Sequence, residues 1–143
     1  MAQGNEQASI GLLIPNKESS QMREKKKKIL LVEDYPNLKI LKKEILEKAN
    51  YEVVTAETVD EALTAFSANS FDLVITDLLL TDGRGDELCH QIRRLNHSVP
   101  LVLHSGWLTE DYKEAAERES IKLLPKALHP REFLQSVAKY LQG

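Results

Sequence analysis

The chain has one cysteine and one tryptophan in 143 residues, and aromatic residues make up only 6% of it. A lone Cys89 excludes an intrachain disulfide framework and a cysteine-rich zinc site, and it fits a reducing compartment. Long apolar runs are also missing. The longest lie at 10–14 and 29–32, far short of the ~20 residues needed to cross a bilayer. No segment joins a basic start to the apolar stretch of about 7–15 residues that marks a secretory signal. The expectation is a cytoplasmic chain with no membrane partner. Six glycines and five prolines are too few for a collagen-like or low-complexity chain.

What is there is ordinary for a globular protein: 42% apolar and 29% charged residues. The length suits one domain, which commonly takes about 100–200 residues. The net charge of -3 hides an asymmetry. Residues 1–28 carry six basic and three acidic side chains, which leaves 13 basic and 19 acidic in the remainder. An acidic body argues against direct nucleic-acid binding. Lys25, Lys26, Lys27 and Lys28 read as a solvated approach to the first strand. Residues 1–26 read as a mobile polar tail, and 27–143 as the folded domain.

From Lys28 onward a regular alternation begins. Ile29-Leu30-Leu31-Val32 has the continuous apolar character of a strand buried on both faces. Pro36 suits the first turn of a helix, and Leu38, Leu41, Ile45 and Leu46 form its apolar stripe. Strands follow at 51–55, 71–76, 99–105 and 121–124. Between them lie helical stripes on Val59, Ala62, Leu63 and Phe66, then on Leu88, Ile92 and Leu95, and a shorter helix at 108–118. His129-Pro130 opens the last helix, with Phe133, Leu134, Val137 and Leu141 on its apolar side. Gly83-Arg84-Gly85 reads as a loop whose glycines serve turn geometry. Five strands alternating with five helices predict a doubly wound α/β fold with a parallel sheet.

In such folds ligands bind beyond the carboxyl ends of the strands. Those ends carry Glu33-Asp34, Thr76-Asp77, His104-Ser105-Gly106 and Pro125-Lys126. Three carboxylates, a hydroxyl and an ammonium thus converge on one rim. Two carboxylates about 5 Å apart repel by roughly 3 kcal/mol at an effective dielectric near 20, so three need a counter-charge. Hard oxygen ligands without histidine or cysteine favour Mg²⁺, which also binds phosphoryl oxygens. The four histidines show no ligand spacing, and Cys89 reads as a buried thiol beside the Leu88/Ile92 stripe.

These segments, in this order and spacing, resemble the response-regulator receiver domain of two-component phosphorelay signalling. The resemblance covers about residues 27–142. It implies a flavodoxin-like sheet of order 2-1-3-4-5 and a phosphoryl group accepted on Asp77. It also implies Mg²⁺ held by Glu33, Asp34, Asp77 and the Leu79 backbone carbonyl, with phosphoryl oxygens contacted by Ser105 and Lys126. The implied partners are a histidine kinase or phosphotransfer protein and a downstream target protein. The domain would not be a turnover enzyme, and its output would come through another protein.

The chain departs from the family pattern at four places. Thr81 stands where proline is frequent, which suggests slight loop loosening. Ser105 replaces the commoner threonine and keeps the hydroxyl. Leu123 takes the place of a frequent switch aromatic. Ala127 follows Lys126 where the family has proline after a cis bond; a trans Lys126–Ala127 peptide is expected. Leu79 and Trp107 are bulky and apolar where the family borders the phosphoryl group, which predicts slow hydrolysis. An aspartate-nucleophile phosphatase would place a second acid at position 79, and leucine cannot transfer a proton. A receiver-like scaffold that binds partners without phosphorylation is the alternative.

Overall fold

Apolar side chains in the first strand divide between two faces with a period of two, as the pleat requires. In β1 (Lys28–Val32), Leu30 and Val32 join one core, while Ile29 and Leu31 join the other. β3 (Leu73–Thr76) and β6 (Leu101–Ser105) repeat the alternation: Val74, Leu101 and Leu103 face the first core, and Leu73, Ile75 and Val102 the second. Each fully buried aliphatic side chain contributes about 1.5–3 kcal/mol, so both faces must be covered. In this computed structural model, α2 (Val59–Ala68), α3 (Gly85–Leu95) and α4 (Glu110–Arg118) supply the first core through Ala62, Leu88, Ile92 and Ala116. α1 (Pro36–Lys48) and α5 (Pro130–Leu141) supply the second through Leu46, Phe133 and Val137.

The structure describes residues 25–106, 110–126 and 128–142. The expectations for the tail as far as residue 24, for Trp107 and for the Lys126–Ala127 peptide lie outside the described residues. With β2 (Glu52–Ala56) and β7 (Ile121–Pro125), the five-stranded sheet is parallel throughout and ordered β2-β1-β3-β6-β7. That is the expected 2-1-3-4-5 once two very short strands are left out of the count. Those two, β4 (Leu79–Leu80) and β5 (Gly83–Arg84), pair antiparallel. The stretch at Gly83-Arg84 is therefore half of a small ribbon rather than plain loop, and Gly85 is the first residue of α3.

One helical stripe is corrected. Leu41 is half exposed, whereas Lys42 is buried. The stripe runs Leu38, Lys42, Ile45, Leu46, with an ammonium inside it. Local signals fix the helix starts as read: Pro36 occupies the first turn of α1, and Pro130 that of α5. His129 caps α5, accepting from Arg131 N while Glu132 accepts from His129 N, a reciprocal cap. Cys89 is buried, and burial pushes its thiol up to about 12. Among the described residues no helix is long and apolar enough to cross a membrane.

Candidate functional site

The sheet ladder runs one residue past the ends of β1 and β3, and this sets the site. Glu33 N donates to Ala56 O at 2.9 Å, and Asp77 N donates to Val32 O at 3.0 Å. The ladder bonds hold the Glu33 and Asp77 backbones side by side, and Asp34 follows directly. Glu33, Asp34 and Asp77 each offer an oxygen, and the three oxygens lie within 4.8 Å of one another. Among the described residues no other group of acids, histidines or cysteines is close enough to hold a metal ion.

Asp77 is fixed from several sides. Leu78 N donates to its Oδ1 at 2.8 Å, and Lys126 Nζ to its Oδ2 at 2.9 Å. Its carbonyl oxygen accepts the Thr76 hydroxyl at 2.9 Å. Gly85 closes the far side: its N–H donates to Leu78 O at 2.6 Å, and only its missing side chain leaves room for the Asp77 carbonyl. Burial and, more weakly, the Glu33 charge raise the pKa of Asp77, against the lowering pull of Lys126.

The cluster contains a second cation that the sequence reading missed. Lys42 Nζ, reaching in from α1, donates to Glu33 Oε1 at 2.6 Å, and Lys126 Nζ lies 3.7 Å from the same oxygen. Glu33 is 0% exposed. Burial would raise its pKa, but Lys42 and Lys126 outweigh that and hold it below the ordinary value. The Lys42 ammonium is pushed down by burial, with Glu33 opposing. Lys42 is four residues from both Leu38 and Leu46, which puts it on the buried stripe, though spacing alone does not name its partner.

Thr81 contacts the cluster. Its hydroxyl donates to Asp34 Oδ2 at 3.2 Å, so the residue in the usual proline position orients a carboxylate of the cluster. Ser105 is buried at the end of β6 and pairs in register with Pro125, the neighbour of Lys126. Leu79 lies in the ribbon opposite Arg84 with its side chain exposed. Leu123 packs against the first core from a half-buried position. The structure thus joins Glu33, Asp77 and Lys126 through ion pairs, with an Asp34 oxygen within 4.8 Å of the other two acids and Ser105 at the adjoining strand end. His90 and His129 serve elsewhere, His90 Nδ1 standing 2.6 Å from Glu119 Oε1.

Hard oxygen donors at this spacing, with ammonium groups on Glu33 and Asp77, fit a small divalent cation and a phosphoryl group together. The family model for the response regulator receiver domain matches residues 29–138. The chain belongs to that family. This receiver domain is 34% identical over 117 residues to the alkaline phosphatase synthesis transcriptional regulatory protein PhoP of Bacillus subtilis, covering 81% of this chain and 49% of that protein. It is 36% identical over 84 residues to the nisin biosynthesis regulatory protein NisR of Lactococcus lactis, covering 59% of this chain and 36% of the relative. The chain therefore spans about half or less of the length of these relatives. The non-phosphorylated HemR receiver domain of Leptospira biflexa superposes with a TM-score of 0.78 at 32% identity, covering 82% of this chain and 96% of that one. The receiver domain is a module of two-component signalling, and its doubly wound fold is shared with that solved structure.

Proposed function

We propose that this receiver domain accepts a phosphoryl group on Asp77 from the phosphohistidine of a histidine kinase or phosphotransfer protein. The phosphorylated form is then read by a downstream target protein in the cytoplasm. The observation that carries this reading is the contact of Lys126 Nζ with Asp77 Oδ2 at 2.9 Å inside a cluster of three carboxylates.

Mg²⁺ fits the donor set of Glu33, Asp34, Asp77 and the Leu79 carbonyl. When bound, it neutralises charge on the carboxylates and on the phosphoryl oxygens. The chain's own residues do the rest. Leu78 N holds Asp77 Oδ1, which fixes the direction of the carboxylate. An Asp77 oxygen forms the new O–P bond as the donor's N–P bond breaks, and the imidazole leaves with that electron pair. Lys126 stabilises the charge spread over the equatorial oxygens, and Ser105 offers a hydroxyl to one of them. Catalysis here is positioning and electrostatics. The product is an acyl phosphate, and its added charge biases the strand ends that carry Ser105 and Lys126.

A small acyl phosphate with Mg²⁺ tests the reading. A receiver accumulates phosphoprotein in proportion to chain. A phosphatase would release phosphate over many turnovers, and a phosphorylation-independent scaffold would do neither. Continuous turnover, or a wholly unmodified chain, contradicts the proposal.

A further inference from the structure

We infer that Lys42 is a built-in counter-ion that competes with the divalent cation for Glu33 and so sets the metal affinity of the site. The inference rests on the proposed metal-assisted reading and concerns how that metal is held.

Lys42 is placed where an apolar residue would otherwise belong. It occupies the inward stripe of α1 and is only 6% exposed. A lysine is almost never buried unless it is paired, and here the partner is a carboxylate with no solvent exposure of its own. The 2.6 Å contact is a short charge-assisted hydrogen bond.

Every oxygen of Glu33 is already met. Oε1 accepts from Lys42 and faces Lys126 at 3.7 Å; Oε2 accepts Tyr35 N at 3.3 Å. A cation on Oε1 must displace or share with an ammonium, and one on Oε2 meets the Tyr35 amide and a carboxylate whose charge Lys42 already offsets. Asp34 differs: it is only half buried and takes the neutral Thr81 hydroxyl at 3.2 Å. The charge count agrees, with two ammonium groups facing three carboxylates. The cluster is largely compensated before any metal arrives. Glu33 is thereby preorganised in the metal-free state, and Asp34 is the carboxylate left without an ammonium contact among the described residues.

The test is calorimetric titration of the unphosphorylated chain with MgCl₂ alone, for the parent and for Lys42→Met, each also in a Glu33→Gln background. Methionine keeps the length and removes the charge. With Glu33 present, Lys42→Met should tighten Mg²⁺ binding at least tenfold. In the Glu33→Gln background the same change should tighten it less than threefold, because the contested carboxylate is gone. Unchanged affinity in the first pair overturns the inference, as does an equal gain in both. Should Lys42→Met leave the chain unfolded without metal, circular dichroism replaces calorimetry. Mg²⁺ must then restore the fold at concentrations below the parent's binding midpoint, and failure to do so overturns the inference too. Failure of the functional reading would look different: the parent would take no phosphoryl group from a small acyl phosphate, whatever its Mg²⁺ affinity.

Discussion

Gly85 lies so close to Asp77 that a Cβ added to it would stand 1.8 Å from the Asp77 carbonyl oxygen and 3.1 Å from Leu103 Cδ1. The first residue of α3 therefore sets the backbone position of the proposed phosphoacceptor. A side chain here meets backbone, which cannot swing aside as a flexible side chain can.

Gly85→Ala should consequently displace Asp77 from Lys126. Overpacking typically costs about 1–3 kcal/mol, and this contact belongs at the upper end. Chemical denaturation would show the lost stability, and acyl phosphate labelling would show a loss larger than the unfolded fraction explains. A stable variant that labels like the parent would mean the ribbon yields and Asp77 does not depend on Gly85.

His104 gives a prediction about acid. It is buried next to Ser105 in β6 and stacks on Phe133 with 5.3 Å between ring centroids. Its ring nitrogens make no hydrogen bond of ordinary geometry. Burial, then the charges of Lys42 and Lys126, push its pKa down to about 3, while Glu33 and the Pro125 backbone oppose them. The folded pKa thus lies below the ordinary value of 6.5. Above that pH the ring is neutral in both states and costs nothing. Below it the unfolded chain takes up a proton that the folded chain refuses, so stability falls as pH drops from about 6.5 toward 3. One proton corresponds to at most about 1.4 kcal/mol per pH unit. His104→Leu should remove this slope and flatten the acid limb of a denaturation series. Parallel pH profiles for parent and variant would contradict the assignment.

Mg²⁺ should raise the melting temperature, because the proposed metal site is assembled only in the folded chain. At a hundred times its dissociation constant a ligand adds about 2.7 kcal/mol, a shift of several degrees for a domain of this size. Asp34→Ala should erase most of the gain, since Asp34 is the carboxylate least engaged by ammonium groups. Thr81→Val should reduce it less, because it removes only the hydroxyl that orients Asp34. A full Mg²⁺ shift in Asp34→Ala would remove that residue from the metal site.

Lys126→Ala should slow phosphoryl acceptance by on the order of 10²-fold, the usual effect of removing one charge-stabilising donor. The fold should survive, because the Lys126 side chain is partly exposed. Rates of labelling at saturating Mg²⁺ would decide it, and a rate within twofold of the parent would leave Lys126 without the proposed role.

Much of this architecture was legible because the strands declare themselves. Runs such as Ile29-Leu30-Leu31-Val32 are apolar on both faces, and only a sheet covered on both sides satisfies that pattern. The rim followed from the strand ends, which carry Glu33, Asp34, Asp77 and Lys126. Lys42 was not legible as a site residue because a lysine on a helix ordinarily faces water. Only its partner Glu33, just past the end of β1, shows why it turns inward, and Leu41 turned outward in exchange. The β4–β5 ribbon escaped notice because two residues per strand are too few to display a period. The hold of Thr81 on Asp34 joins positions 47 residues apart, which local pattern cannot reveal.

The central claim is that Asp77 is the phosphoacceptor, and peptide-mapping mass spectrometry after treatment with a small acyl phosphate and Mg²⁺ tests it most directly. The account predicts one added phosphoryl group, placed on the peptide containing Asp77, in the parent chain. Asp77→Asn should keep the fold and take up none. Equal labelling of Asp77→Asn and parent, or a phosphoryl group mapped to another residue, would contradict it.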